Sequence, residues 1–117
     1  MAFKVIALLA KKADLTRDEF IAYYENHHAP LILSITPEIR AYRRNFADFS
    51  EAFAFPDAAP FDFDCVTEIE YADRAAYEAG LARQTEAMDR IAADEENFLD
   101  RGKTRMFIVD SRASEIA

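Results

Sequence analysis

The sequence of 117 residues predicts one α+β domain whose elements follow the order β-α-β-β-α-β. Three observations predict it. Residues 3–10 form an apolar run, which is typical of a strand covered on both faces, and residues 61–71 alternate strictly between apolar and polar, as a half-buried strand does. Between them a capped amphipathic helix begins near Thr16. A chain of this length supports a single core, so residues 1–117 are predicted to be one domain.

The first helix has a clear start signal. Thr16 suits the N-cap position, and Glu19, three residues later, completes a capping box. Aromatic, apolar and imidazole side chains then recur at helical spacing and define one line along the helix. They are Phe20, Tyr24, His27 and Leu31.

A proline interrupts this helix. Pro30 lacks the N–H that would bond to the Asn26 carbonyl, and it disfavours helical geometry at the residue before it. We therefore expect the helix to kink or pause at the histidine pair, His27 and His28, before another turn over residues 31–35. Two adjacent histidines point about 100° apart on a helix, so they are not expected to bind one metal together.

Similar patterns predict the remaining elements. They are a strand at 39–49, a loop at 50–60, the strand at 61–71, a helix at 74–83 capped by Asp73, a helical segment at 85–99, a strand at 104–109 and a tail at 110–117. This order is the ferredoxin-like split motif, an antiparallel four-stranded sheet with helices on one face. Because strands 3–10 and 104–109 are apolar on both faces, a second copy of the chain is the natural cover for the other face. A homodimer is therefore predicted.

The loop contains apolar side chains that are unusual in a solvated segment. Phe49, Phe53 and Phe55 lie in or next to it. They are expected to pack either over a cavity or against another subunit.

The charge and cysteine counts exclude several classes of protein. The formal net charge is −8, and there is no basic cluster of the kind that binds phosphate backbones or anionic membranes, so no nucleic acid or membrane partner is predicted. A single cysteine, Cys65, excludes an intramolecular disulfide and is predicted to be an inert buried thiol. No run is long enough for a membrane span, and a soluble cytoplasmic protein is expected.

Several stretches together resemble the EthD domain family of small dimeric α+β barrel proteins. They are Leu-Thr-Arg-Asp-Glu-Phe at 15–20, Tyr-Glu-Asn-His-His-Ala-Pro-Leu at 24–31, Tyr-Arg-Arg-Asn at 42–45, Phe-Asp-Phe-Asp at 61–64 and Ala-Asp-Glu-Glu-Asn-Phe-Leu-Asp-Arg at 93–101. The resemblance spans residues 3 to about 110. It implies a ferredoxin-like protomer that pairs through its sheet into a homodimer, with a small-molecule pocket between each sheet and its own helices.

The resemblance also implies a function. We expect a cofactor-independent enzyme that acts on a small aromatic or polyketide-like molecule, as a cyclase, isomerase, dehydratase or monooxygenase does. His28 matches the histidine of the family's H-x-P-L element and is the predicted proton-transfer residue, with Asp94 as a second acid–base candidate. Helical spacing alone favours His27 as the residue that faces the pocket, because it lies nearer the centre of the apolar line. Since Pro30 disturbs the helical phase, we follow the H-x-P-L motif and choose His28.

Two alternatives stay open. One is a non-catalytic binding protein for a small molecule. The other is a haem protein with His27 or His28 as axial ligand; no other cofactor and no metal ion is predicted.

Five residues are predicted to contact or shape the ligand pocket. They are Tyr24, His27, Tyr42, Arg44 and Phe98. Core packing explains Tyr24, Tyr42 and Phe98 equally well.

Glu95 falls on an apolar helix face, where an ionised carboxylate needs a partner or a raised pKa. A structural ion pair with Arg44 or Arg105 is the favoured interpretation.

Overall fold

Four antiparallel strands form one sheet, and helices cover one of its faces. In the computed structural model, which describes residues 2–116, the strands are β1 Phe3–Leu9, β2 Ala41–Phe46, β3 Cys65–Tyr71 and β4 Arg105–Val109. Their order across the sheet is β2-β3-β1-β4, and each neighbouring pair is antiparallel. The predicted α+β ferredoxin-like fold is confirmed. Met1 and Ala117, at the two ends of the predicted domain, lie outside the described residues.

The helices fall between the strands as the element order requires. They are α1 Arg17–Tyr23, a π-helical turn Tyr24–His28, α2 Ala29–Ile35, α3 Arg74–Glu86 and α4 Met88–Glu95, with a short 3₁₀ turn Arg101–Lys103 before β4. The predicted capping box is present. The Glu19 amide donates to Thr16 Oγ1 at 3.1 Å, and the Thr16 amide donates to Glu19 Oε1 at 2.9 Å. In the described part of the chain, no helix is long and apolar enough to cross a membrane.

The predicted break at the histidine pair is corrected to a wide turn. The backbone keeps helical dihedral angles through His28 and Ala29, and the Ala29 amide bonds to the carbonyl of Tyr24, five residues earlier. This turn places Pro30 at the start of α2, where a missing N–H costs little. The chain therefore continues as a helix and bulges, and the bulge contains both histidines.

Two predicted strands are shorter in the structure. The strand expected at 39–49 runs from Ala41 to Phe46, and the strand expected at 61–71 begins at Cys65. The reason is the length of the neighbouring strand. β1 ends at Leu9, whose carbonyl accepts the Asp64 amide at 2.7 Å, so residues before Asp64 have no β1 partner. The alternation of apolar and polar residues therefore begins at residue 61, before the point where pairing between β1 and β3 begins.

The helical segment predicted at 85–99 also ends early. α3 extends to Glu86, α4 ends at Glu95, and residues 96–98 form a turn. α3 runs through Gly80, where a Cβ atom would lie 2.9 Å from Cγ2 of Thr36 and 3.0 Å from the Tyr71 ring. Glycine at this position lets α3 approach the sheet closely.

The two faces of the sheet differ in burial. On the inner face Val5 lies opposite Ile69 and Ala7 opposite Thr67, and all four side chains are buried beneath the helices. Phe20, Tyr24 and Phe98 complete the core below them. The outer face carries apolar side chains that are only partly covered; they are Ile6, Leu8, Val66 and Phe107.

The segment before β3 forms an exposed aromatic arm, which we define as residues 47–64. Phe49 and Phe61 stack within it at 4.3 Å between ring centroids, and Phe53 packs edge-on against Phe55. All four rings are exposed, Phe53 to 80%.

Candidate active site

A cavity of about 320 Å³ lies between the inner face of the sheet and the helices. Its walls are largely aliphatic, and residues from all four strands contribute to them. Side chains that carry a polar group also line it; they are Tyr24, His28, Tyr42, Thr67, Tyr71, Tyr77, Gln84, Glu95, Arg101, Thr104 and Arg105. A cavity of this size that combines aliphatic and aromatic walls with polar groups is typical of a small-molecule site. The aromatic arm, with Phe49, Phe53 and Phe55, does not line this cavity.

His28 is fixed at the wall of the cavity by a carboxylate. Its Nδ1 lies 2.6 Å from Oδ2 of Asp94, and its ring packs on Phe98 with centroids 4.8 Å apart. A carboxylate only accepts, so Nδ1 donates the proton of this hydrogen bond. Within the described residues Nε2 has no hydrogen-bond partner, and it is the nitrogen available to a ligand.

Asp94 is itself held in place. Its second oxygen, Oδ1, accepts a hydrogen bond from the Tyr23 hydroxyl at 2.8 Å, and that hydroxyl accepts one from Asn97 Nδ2 at 2.9 Å. Asn97, Tyr23, Asp94 and His28 therefore form a continuous hydrogen-bonded chain that ends at the cavity. Tyr23 and Asn97 were not among the predicted site residues, because they contact the histidine only through Asp94.

Burial controls the charge of His28. The side chain is 6% exposed, and burial lowers its pKa from the ordinary value, although Asp94 opposes this shift. The imidazole is therefore neutral near pH 7, with its proton on Nδ1 and a lone pair on Nε2. A neutral imidazole oriented by a carboxylate is equipped to accept a proton.

Two phenols face the cavity beside this histidine. The Tyr24 hydroxyl lies 2.7 Å from Thr67 Oγ1 and 3.1 Å from the Tyr42 hydroxyl. Burial raises the pKa of both phenols, that of Tyr42 to about 12. Both hydroxyls therefore stay protonated at neutral pH. Because the hydroxyls of Thr67, Tyr24 and Tyr42 are bonded to one another in a row, Tyr42 can donate its proton to an oxygen of a ligand while Tyr24 donates to Tyr42.

Four of the seven predicted site residues lie outside the cavity lining. His27 is exposed and stacks on Tyr23, with ring centroids 4.7 Å apart, on the side of the helix away from the cavity. Arg44 forms two hydrogen bonds with Glu25, at 2.8 and 2.9 Å. Phe98 is fully buried behind His28. Asp94 reaches the cavity only through His28.

The predicted partners of Glu95 are corrected. Arg44 pairs with Glu25, and Arg105 pairs with Asp62 at 2.9 Å. Glu95 instead lies 3.6 Å from Arg101, six residues further along the chain. The sequence signal for Glu95 was its place on an apolar helix face, whereas Arg101 was considered only as the last residue of the stretch at 93–101 that resembles the family.

Cys65 is a free thiol that is buried in the sheet, and burial raises its pKa to about 11. It lies 3.5 Å from Thr67 Oγ1. Among the described residues, no three His, Cys, Asp or Glu side chains come together as a metal site would require.

The family model of the EthD domain matches residues 12–102 of the chain. The chain belongs to the EthD domain family. The match contains the π-helical turn with His28 and the whole of α4 with Asp94. No curated protein matches the sequence.

Solved structures share the fold of this EthD domain. An EthD family protein from Bacillus halodurans superposes with a TM-score of 0.63 at 22% identity, over 96% of this chain and 100% of its own. A dimeric ferredoxin-like protein from an uncultured marine organism gives 0.59 at 16%, over 96% and 98%. SnoaB from Streptomyces nogalater, a cofactor-independent oxygenase, gives 0.54 at 12%, over 97% and 94%. At these identities the similarity concerns the fold alone.

Proposed function

We propose that this protein is a cofactor-independent enzyme that transfers a proton to or from a small aromatic or polyketide-like molecule. The observation that carries the proposal is the short contact between His28 and Asp94 at the wall of an apolar cavity. The membership of the EthD family and the similarity in fold to a cofactor-independent oxygenase support it.

The chemistry begins with His28 Nε2 as a base. It accepts a proton from a carbon next to a carbonyl group of the bound molecule, and Asp94 stabilises the imidazolium that forms. Negative charge then develops on the carbonyl oxygen. Tyr42 and Tyr24 donate hydrogen bonds to such an oxygen, either directly or through one another. This first step is common to cyclisation, isomerisation, dehydration and oxygenation without a cofactor.

Deuterium exchange into anthrone tests the proposal. Anthrone is a planar aromatic ketone with an acidic methylene group, and its exchange in D₂O under nitrogen is followed by proton NMR. The wild-type protein is expected to accelerate exchange. His28→Gln is expected to lose roughly 10²- to 10⁴-fold of that acceleration, the usual contribution of a positioned acid–base residue.

His27→Gln is the matched control, because it removes the neighbouring imidazole on the side away from the cavity. It is expected to exchange anthrone at the wild-type rate. Equal rates for His28→Gln and the wild type would contradict the assigned role. A larger loss in His27→Gln than in His28→Gln would transfer the role to the other histidine.

A haem-binding role is the second candidate, favoured by one observation. His28 donates from Nδ1 to a carboxylate and leaves Nε2 available, which is also the arrangement of a metal-ligating histidine. Titration with haem, followed in the visible spectrum, decides it. A spectrum without a shifted Soret band would exclude this candidate, whereas an identical shift in His28→Gln would exclude His28 as the axial ligand.

We further propose that two copies pair through the outer face of the sheet. Ile6, Leu8 and Phe107 give this face an apolar centre that the protomer's own helices do not cover, and Phe107 is 46% exposed. A solved relative in fold is a dimer, which supports the proposal. Sedimentation equilibrium is expected to give the mass of two chains, and Phe107→Lys a single chain. A monomeric wild-type protein would contradict this arrangement.

A further inference from the structure

The cavity contains a charged group that the proposed proton transfer does not use. Three lining residues carry a formal charge, and two of them are cationic. Arg105 is already satisfied, because its guanidinium donates to Asp62 at 2.9 Å and to the Lys103 carbonyl at 3.1 Å. The other pair, Glu95 and Arg101, is loose: its shortest contact is 3.6 Å, beyond the usual length of a charge-assisted hydrogen bond.

Of this pair, Arg101 is the residue that a ligand can bind. Its side chain is 56% exposed, whereas that of Glu95 is 26% exposed. Burial raises the pKa of Glu95, and Arg101 opposes this shift. The donors of Arg101 are therefore available at the cavity, in the planar fork that matches a carboxylate.

The two ends of the cavity differ in their chemistry. Tyr42 lies on the edge strand β2, and Arg101 lies just before the opposite edge strand, β4. Three strand spacings separate the edges, about 14 Å in all. His28 lines the same cavity from the helical layer, where the Tyr24 ring contacts both His28 and Tyr42. One end offers neutral phenols, and the other offers a cation.

We propose that the cavity binds an elongated aromatic acid whose carboxylate pairs with Arg101 and whose far end lies under Tyr24 and Tyr42. This assignment rests on the proposed function and narrows its substrate class to organic anions. The carboxylate fixes the direction of the molecule within the cavity that His28 also lines. The overall charge of the chain, −8, repels anions in general, which leaves the recognition to this one guanidinium.

Calorimetric titration with two matched probes tests it. β-Naphthoate carries the carboxylate, and β-naphthamide has nearly the same shape without the charge. The wild-type protein is expected to bind the acid roughly tenfold more tightly than the amide. Arg101→Gln is expected to abolish this preference while it leaves the affinity for the amide unchanged. Arg101→Lys is expected to keep part of the preference, because a lysine keeps the charge but not the fork.

Two further variants sharpen the test. Glu95→Gln removes the competing carboxylate and is expected to tighten binding of the acid a few-fold without changing the amide. Arg90→Gln is the matched control: it removes one exposed arginine from the neighbouring helix, outside the cavity lining, and both affinities are expected to stay at wild-type values. Thermal unfolding of each variant verifies that it folds.

Several results would overturn the assignment. They are equal affinity of the wild type for acid and amide, no binding of either probe at millimolar concentration, an equal loss for both probes in Arg101→Gln, and an unchanged preference in that variant. The proposed proton transfer fails separately. If anthrone exchange does not depend on His28, the proposed proton transfer is wrong. The binding experiments measure affinity alone, so their results do not depend on whether the protein catalyses exchange.

Discussion

His27 and His28 are adjacent in the chain but lie in two different regions of the molecule. His28 is buried at the cavity, hydrogen-bonded to Asp94 and packed on Phe98. His27 is exposed and stacked on Tyr23, outside the cavity. The imidazole of His28 therefore has a fixed orientation and a lowered pKa, whereas the imidazole of His27 is exposed to solvent. The difference shows that burial and a carboxylate partner, more than residue type, make one of them a candidate for catalysis.

The largest difference in stability is expected between a variant in the core that supports His28 and a variant on the exposed side, at His27. Phe98 is fully buried and contacts the rings of Phe20, Tyr24 and His28. Phe98→Ala is expected to lower the free energy of unfolding by about 3–5 kcal/mol, as a cavity in a core does. Urea denaturation measures it. His27→Ala, on the other side, is expected to stay within about 0.5 kcal/mol of the wild type. Similar losses in the two variants would remove the distinction.

A smaller contrast is expected from the carboxylate. Asp94→Ala leaves the His28 Nδ1–H and the Tyr23 hydroxyl without their acceptor. The expected loss is about 1–3 kcal/mol of unfolding free energy, together with slower anthrone exchange. His27→Ala is again the control, because His27 is exposed and lies outside this hydrogen-bonded chain. Its expected loss is below about 0.5 kcal/mol. Wild-type exchange by Asp94→Ala would show that the carboxylate does not position the histidine.

The protonation of His28 gives a pH dependence of stability. Since burial lowers its pKa in the folded state, the unfolded state binds more protons at pH values just below the ordinary value of about 6.5. Stability is therefore complete above about pH 6.5 and falls as the pH decreases towards the folded pKa, by up to about 1.4 kcal/mol per unit. Urea denaturation over a pH series checks the slope. His28→Gln is expected to lose this component, and an identical slope in both proteins would refute it.

The smallest effect on the free energy of unfolding is expected at Tyr23, which contacts both His27 and Asp94. Tyr23 stacks on His27 and donates its hydroxyl to Asp94. Tyr23→Phe keeps the ring and removes the hydroxyl, so we expect a loss of about 0.5–1.5 kcal/mol, measured in urea. A loss as large as that of Asp94→Ala would mean that the carboxylate depends on Tyr23 more than on His28.

The sequence predicted the fold and the start of the first helix because both depend on local patterns. The capping box at Thr16 involves residues only three apart, and the order of the elements follows from periodicity. The extent of β3 was wrong because it depends on where β1 ends. The partner of Glu95 was wrong because a pairing through space is not encoded in spacing.

The candidate site was predicted in part for the same reason. The motif around Pro30 identified His28, and the structure places this residue in the cavity lining beside Tyr24. Arg44 was predicted to contact or shape the pocket, but its guanidinium is hydrogen-bonded to Glu25 in the π-helical turn. Arg101 belongs to a turn, where no periodicity indicates which way the side chain points.

The π-helical turn has a consequence for sequence length. Because the Ala29 amide bonds five residues back, the turn is equivalent to an ordinary α-helix that has gained one residue between Tyr24 and Ala29. Deletion of Asn26 would restore regular α-helical bonding without changing the phase of α2, whose Ala29 and Ile32 are buried. The chain can therefore lose a residue here while its core stays in register, and the wide turn around the histidine pair is the feature that changes.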